Sequence, residues 1–207
     1  MIPNDVLLQF VTASAALAVA PGPDNIFVLT QSAIHGRKAG IIVTLGLCTG
    51  LLVHIAAVAF GVAAILKTST IAFNMLKFVG AAYLLYLAWQ AFRAGETQIT
   101  ETTENSISPK ALYSRGILMN VTNPKVAIFF LAFLPQFADP SRGAIPNQIF
   151  MLGAVFMITA FIIFSGIAWG AGQIGGWLKS SKRAQVAINR IAGTVFVLLA
   201  CRLVWSK

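Results

Sequence analysis

Charged side chains are scarce in this sequence. Asp, Glu, Lys and Arg together make up only 10% of the 207 residues, and just six of them are acidic. Soluble globular domains contain about 25% charged residues. The chain therefore has too few polar groups to cover a water-facing surface, which excludes a soluble globular protein.

Residues that bind metals or act as nucleophiles are also few. The sequence has two histidines, His35 and His54, which lie 19 residues apart and fit no metal-ligand spacing. Its two cysteines, Cys48 and Cys201, both lie in apolar segments, where reduced thiols are expected rather than a disulfide. No GxxxxGK[ST] loop and no Ser/His/Asp set is present. We expect no metal, no cofactor and no enzymatic activity.

Apolar residues, in contrast, make up 57% of the chain, and the mean hydropathy is +0.80. A helix needs roughly 20 mainly apolar residues to cross a bilayer. Six segments meet this requirement, near residues 6–34, 41–66, 70–92, 116–138, 148–178 and 186–205. The sequence predicts an all-α integral membrane protein with about six transmembrane helices, and residues 1–207 as a single transmembrane domain.

Lys and Arg residues, which give a net charge of +9, cluster at the ends of the predicted helices. This distribution favours a lipid bilayer as partner and gives no reason to expect nucleic acid. The loops after helices 1, 3 and 5 and their flanks hold eight Lys and Arg residues, against five on the other side. Because positive loops stay in the cytoplasm, both termini are predicted to lie outside, in the periplasm.

A polar stretch at 93–115 divides the chain into two halves of equal length, residues 1–92 and 116–207. We interpret it as a solvated linker between two repeats. Three helices per repeat require the two halves to insert in opposite orientations. A sequence pattern recurs in helices 3 and 6 after 113 residues, as Lys77-x-x-Gly80-x-x-Tyr83 and Arg190-x-x-Gly193-x-x-Phe196.

Proline interrupts helices 1 and 4 at corresponding places. Helix 1 contains Pro21-Gly22-Pro23, and helix 4 contains Asn123-Pro124. Proline removes a backbone donor and clashes with the preceding turn. In hydrocarbon the freed backbone groups need partners inside the protein or in a water-filled cavity. Inverted repeats with interrupted helices at equivalent positions are typical of secondary transporters.

A charged residue follows each break, Asp24 in helix 1 and Lys125 in helix 4. A charge at the bilayer centre costs roughly 2.5–3.5 kcal/mol on insertion scales, so such residues usually line the interior. We hypothesise that both face one cavity. Asp24 would bind a substrate ammonium or a coupling proton, and Lys125 would neutralise Asp24 and attract a substrate carboxylate. A structural ion pair, or a Lys125 side chain extended to the interface, is the alternative.

The remaining candidates are the residues of the breaks and the polar residues near them. Their alternative role is to satisfy the broken backbone. His54 either relays protons or is a hydrogen-bonded core histidine, and we interpret Tyr83, Tyr86 and Trp89 as packing or interfacial residues. The predicted site comprises Pro21, Gly22, Pro23, Asp24, Asn25, Asn120, Asn123, Pro124, Lys125 and Gln136.

These residues resemble the LysE/RhtB family of amino-acid exporters over nearly the whole chain outside the linker. The resemblance rests on Ala20-Pro21-Gly22-Pro23-Asp24, His35-Gly36-Arg37-Lys38-Ala39-Gly40, Leu76-Lys77-x-x-Gly80-Ala81-Ala82-Tyr83-Leu84, Asn120-Val121-Thr122-Asn123-Pro124-Lys125 and Phe133-x-Pro135-Gln136-Phe137. It implies secondary-active efflux of amino acids or close derivatives from the bacterial cytoplasm across the inner membrane, driven by protons through alternating access. It supports Asp24 and Lys125 as functional positions.

Other function classes stay open at this point: an ion channel or cation transporter, and a lipid-translocating membrane protein. Asp24 is the only acidic residue deep in a predicted span, which disfavours a route for divalent cations. The expected partner is a small-molecule amino-acid substrate. The second half of the chain resembles homoserine/threonine and leucine exporters more than the lysine exporter, which favours neutral substrates. Lone six-helix carriers often pair, so a homodimer is an alternative to a monomer.

The predicted orientation can be tested by cysteine labelling. In a chain with Cys48→Ala and Cys201→Ala, a membrane-impermeant maleimide should label Ser206→Cys in intact cells. Ser106→Cys, in the linker, should react only after the cells are permeabilised, because the positive loops hold the linker in the cytoplasm. Labelling of Ser106→Cys in intact cells would contradict the predicted orientation and indicate the opposite one.

Overall fold

A computed structural model describes residues 2–62, 70–94, 108–180 and 182–205. These residues are almost entirely helical and contain no strand. We number the α-helices in chain order, and two of them continue into π- or 3₁₀-helical turns. They are α1 (Asn4–Val19), α2 (Pro23–His35), α3 (Arg37–Ala57, followed by a π-helix at Val58–Val62), α4 (Thr70–Arg93), α5 (Pro109–Thr122), α6 (Pro124–Ile128, followed by a π-helix at Phe129–Phe133 and a 3₁₀ turn at Leu134–Phe137), α7 (Ile145–Ser180) and α8 (Lys182–Trp205).

The all-α membrane fold is confirmed. Four helices of the described chain are long and apolar enough to cross a bilayer, within 37–61, 74–93, 145–171 and 185–205. Two further spans are made of bent pairs. The axes of α1 and α2 differ by 59°, and those of α5 and the helical segment 124–137 differ by 50°. Counting each bent pair as one span gives the six predicted crossings, with the breaks where the prolines placed them.

The fourth span begins earlier than the sequence pattern predicts. The structure starts α5 at Pro109, inside the segment interpreted as linker, whereas the pattern placed the span from residue 116. Ser108 caps this helix by accepting a hydrogen bond from the Ala111 N–H, and Pro109 occupies the first turn. These local signals start a helix without any apolar period. Most of the predicted linker, 95–107, lies outside the described residues.

Glycines allow the helices to approach closely and show their relative directions. Gly46 and Gly50 of α3 lie against Tyr113 and Asn120 of α5, so these helices run parallel. Gly40 lies beside Ala168 and Gly153 beside Ile55, so α3 and α7 run antiparallel. We name the two ends of the bundle the Gly36 side, which holds the α2–α3 turn, and the Asp139 side, which holds the turn before α7. The predicted orientation puts the Gly36 side in the cytoplasm.

The third and sixth predicted spans, which are α4 and α8, pack together at the glycines of the recurring pattern. Gly80 of α4 lies closest to Ala132, in the π-helix after α6, and also contacts Leu203 of α8, at 3.3 Å from the position that its Cβ would take. Gly193 of α8 lies against Phe92 of α4, at 2.7 Å. The second spans of the two halves, α3 in the first and α7 in the second, also pack on each other. These reciprocal contacts are consistent with two inverted repeats. The single-domain organisation and the boundaries of the repeats stay predictions.

The interior near the Asp139 side is filled by phenylalanines. Phe10, Phe129 and Phe130 are fully buried, and Phe156 packs on the last two with ring centroids 5.2 and 4.9 Å apart. Both cysteines are free thiols, as expected from their apolar surroundings. The phenylalanine rings pack together between the breaks and the Asp139 side.

Gly46→Ala tests the close approach of α3 and α5. The new methyl group would collide with the Tyr113 carbonyl oxygen, and overpacking of this kind costs about 1–3 kcal/mol of the free energy of unfolding. Gly166→Ala is the matched control, because no heavy atom lies within 4 Å of its Cβ position. The melting temperature in detergent should be lowered by Gly46→Ala and not by Gly166→Ala. Equal melting temperatures for both variants would contradict the close packing.

Candidate functional site

The break in the first predicted span, between α1 and α2, is stabilised by side chains from both halves of the chain. α1 ends at Val19, which leaves the carbonyls of its last turn without helical partners. The Lys125 ammonium donates to the Ala20 carbonyl at 2.9 Å and to the Leu17 carbonyl at 3.3 Å. Asn25 Nδ2 donates to the Ala18 carbonyl at 2.6 Å. A cation at the negative end of a helix is favourable, so Lys125 stabilises this break.

The break in the fourth predicted span, between α5 and α6, is shorter and is capped by its own residues. Asn123 separates α5 from α6, and its Oδ1 accepts a hydrogen bond of 3.0 Å from the Lys125 backbone N–H. The Asn120 carbonyl, in the last turn of α5, lies 3.1 Å from His54 Nε2. His54 must therefore carry a proton on Nε2 in order to donate to this carbonyl. The His54 ring also packs on Phe130, with centroids 5.8 Å apart.

Asp24 lies in the first turn of α2 and is 1% exposed. Its Oδ2 accepts a long hydrogen bond of 3.4 Å from Asn120 Nδ2, and its Oδ1 has no hydrogen-bond partner. No contact within 4 Å joins this carboxylate to a cation of the described chain. Asn123, whose Nδ2 has no other partner, and the charge of Lys125 also act on this carboxylate. A buried carboxylate with few short hydrogen bonds is incompletely compensated, so Asp24 stays a functional candidate.

A cavity of about 480 Å³ lies beside the two breaks. Gln90 and Ala94 near the end of α4, and Asn189 near the start of α8, place its mouth on the Gly36 side. Lys125 is the one charged residue among its described lining residues. The other lining residues are Pro21, Gly22, Pro23, Ile26, Tyr83, Leu87, Ala91, Asn123, Pro124, Ala192 and Phe196.

A second, much smaller cavity of about 10 Å³ lies on the other face of the breaks. Asp24, Asn120 and Lys125 are its polar lining residues. Apolar side chains complete its walls: Leu17, Ala18, Leu51, Val126, Phe156, Ala160 and Phe164. Of the described residues, only Lys125 lines both cavities. Asp24 and Lys125 therefore share the small cavity, and Lys125 alone reaches the large one.

Nine of the ten predicted site residues surround the two breaks, whereas Gln136 lies apart from them. Gln136 is on the 3₁₀ turn at Leu134–Phe137, donates to the Ala132 carbonyl at 2.7 Å and lines neither cavity. The direct ion pair offered as an alternative is absent from the described residues, and Lys125 does not extend to the interface, because it is 6% exposed.

Tyr83 and Phe196 line the large cavity but were not predicted as site residues. They close the recurring pattern of helices 3 and 6, as Gly80-x-x-Tyr83 and Gly193-x-x-Phe196. The repeat itself was the signal that could have identified them, because equivalent residues of inverted repeats meet at the repeat interface. Tyr86 and Trp89 are half exposed, in agreement with an interfacial or packing role.

Asn25→Ala tests whether the break in helix 1 depends on its side-chain donors. A buried acceptor that loses its donor costs about 1–3 kcal/mol, so the change should lower the thermal stability of the purified protein. Thr12→Ala is the control, since its exposed hydroxyl bonds to a carbonyl of its own helix and such changes stay within about 0.5 kcal/mol. Identical unfolding curves would show that the Ala18 carbonyl needs no donor.

Comparison with known proteins agrees with this architecture. The family model described as LysE type translocator matches residues 15–207. The homoserine/homoserine lactone efflux protein of Salmonella typhimurium strain LT2 is 33% identical over 96% of this chain and 95% of its own. The leucine efflux protein of Klebsiella pneumoniae is 29% identical over 95% of this chain and 93% of its own. No solved structure matches the chain significantly. The chain belongs to the LysE family of translocators, and it is a multi-pass membrane transporter rather than an enzyme.

Proposed function

We propose that this protein exports amino acids or close derivatives from the bacterial cytoplasm by proton-coupled secondary transport across the inner membrane. One observation carries the proposal: a buried ammonium lines a cavity of about 480 Å³ where two broken helices meet. The names of the Salmonella and Klebsiella relatives point to homoserine, homoserine lactone and leucine as first substrates to test.

Lys125 supplies the recognition of a substrate carboxylate. A lysine ammonium has three N–H donors, and two of them are used by the carbonyls of Leu17 and Ala20. One donor is left for a ligand in the large cavity. Tyr83 and Phe196 offer apolar area to the substrate side chain, and the amides of Gln90 and Asn189 line the mouth.

Alternating access accounts for the shape of the bundle. The large cavity opens on the Gly36 side, which the predicted orientation places in the cytoplasm. On the Asp139 side the buried rings of Phe129, Phe130 and Phe156 pack on one another and would close the path in this state. A π-helix at Phe129–Phe133 follows the break in helix 4 directly, and π-helical turns are frequent at functional sites. Movement of the broken helices would close one side and open the other.

The charge of the cavity disfavours a cation channel. Cation pathways are lined by acidic rings or by backbone carbonyls. The described lining of the large cavity contains one lysine and no acidic residue. An anionic group, such as the carboxylate of an amino acid, is the ligand that this lining accommodates.

Efflux from proteoliposomes tests the proposal. Vesicles that contain the purified protein and are loaded with radiolabelled homoserine or leucine should lose label faster under an imposed pH gradient than equally loaded vesicles without protein. An ionophore that dissipates the gradient should remove the difference. If neither these nor other amino acids move faster, the proposed function is wrong, and lipid and ion flux become the measurements that follow.

Gly22→Ala tests the role of Lys125 without removing its charge. A Cβ on Gly22 would lie 2.9 Å from Lys125 Nζ, so the flexible ammonium must shift, while the φ of −173° suits any residue. Disturbing a buried charge contact costs about 2–5 kcal/mol, which is roughly 30-fold or more in affinity. Efflux per folded protein should fall accordingly, and the melting temperature should also fall, because the displaced ammonium no longer holds the Leu17 and Ala20 carbonyls as closely. Gly166→Ala should transport like the wild type, and wild-type efflux by Gly22→Ala would contradict the assignment of Lys125.

A further inference from the structure

Asp24 and the large cavity lie on opposite faces of the breaks. Asp24 lines only the cavity of about 10 Å³ and is not among the residues of the cavity of about 480 Å³. The wall between the two spaces includes Lys125, which lines both. A substrate in the large cavity therefore contacts Lys125 and does not reach Asp24.

The small cavity cannot hold an amino acid. A space needs about 10–15 Å³ of this measure to hold one water molecule, and an amino acid is several times larger than water. The remaining walls are tightly packed, because Leu17, Leu51 and Phe156 are each no more than 3% exposed. A ligand that binds at Asp24 must therefore be much smaller than an amino acid.

The surroundings of the carboxylate agree with a proton as that ligand. Asp24 Oδ1 has no hydrogen-bond partner, Oδ2 accepts a long hydrogen bond from Asn120, and the Asn123 amide lies close to the same carboxylate. The titratable groups of the described chain that face this site are Lys125 from α6 and His54 from α3. Lys125 is bound to the end of α1, and His54 is bound to the Asn120 carbonyl. Neither donates to Asp24.

From this arrangement we propose that Asp24 is the proton-binding site of the transporter, separate from the substrate site at Lys125. This inference rests on the proposed function and names its second ligand. A proton from the water on the Asp139 side binds to the Asp24 carboxylate when the carrier opens there, and it leaves to the water on the Gly36 side. His54 is a positioning residue, because it holds the end of α5 from which Asn120 donates to Asp24.

Two transport assays in the same proteoliposomes separate a proton site from a substrate site. Counterflow measures exchange of labelled for unlabelled substrate without any gradient, so it requires substrate binding and movement of the loaded carrier. Uphill efflux, driven by a pH gradient, also requires the proton. Asp24→Asn is close in shape to the native side chain but cannot bind the proton, and Asp24→Ser is a smaller neutral replacement.

Both Asp24 variants should keep counterflow within about twofold of the wild type and lose uphill efflux by about tenfold or more, since only the proton-dependent step is removed. Lys125→Ala should lose both activities, and Gly166→Ala should keep both. Loss of counterflow in the Asp24 variants would place the substrate ammonium on Asp24 and overturn the inference. Failure of both variants to give folded protein by size-exclusion chromatography would assign Asp24 a structural role and also overturn it.

The same assays distinguish this failure from failure of the proposed function. A wild-type protein that shows neither counterflow nor uphill efflux is not an amino-acid exporter. A wild-type protein that shows both, with Asp24 variants that still carry out uphill efflux, is an exporter whose proton binds elsewhere. His54→Gln, which keeps a donor for the Asn120 carbonyl, should retain uphill efflux, whereas a relay through the imidazole would lose it.

Discussion

The structure depends on one constraint: backbone groups released by a broken helix cannot stay unpaired inside a membrane. The break between α1 and α2 frees carbonyls inside the bundle, and a side chain from the other half of the molecule satisfies two of them. The Lys125 ammonium does so at 2.9 and 3.3 Å. This contact joins the two bent spans and places a buried cation beside both breaks.

The structural and functional interpretations of Lys125 are therefore compatible. An ammonium with two of its three N–H donors bonded to helix carbonyls is stabilised in the empty protein and still has a donor for a ligand. In the proposed function its charge would attract a carboxylate into a cavity with no other charged residue in its described lining. The contact that holds the fold is thus the contact that a substrate would alter, which gives a physical route from binding to movement of the broken helices.

The two halves are similar in pattern but differ in charge. Gly80 and Gly193 let α4 and α8 approach, and Tyr83 and Phe196 then line the same cavity from both sides. At the breaks the symmetry ends, because the first half carries Asp24 and the second carries Lys125. The packing puts the acid and the base on the small cavity together but gives only the base access to the large one. The proposed exchange of an amino acid for a proton would use this difference, with the substrate at Lys125 and the proton at Asp24.

The sequence by itself determined the membrane environment, six spans, both breaks and the charged residue after each break. These follow from composition and from the local chemistry of proline, which act over a few residues. Only the tertiary structure decided which carbonyls Lys125 binds, that Gln136 lies apart from the site, and that Asp24 and the large cavity are separated. Those facts depend on bends of 59° and 50° and on close approaches between helices distant in sequence. A local pattern contains no information on such distances, because packing of whole helices sets them.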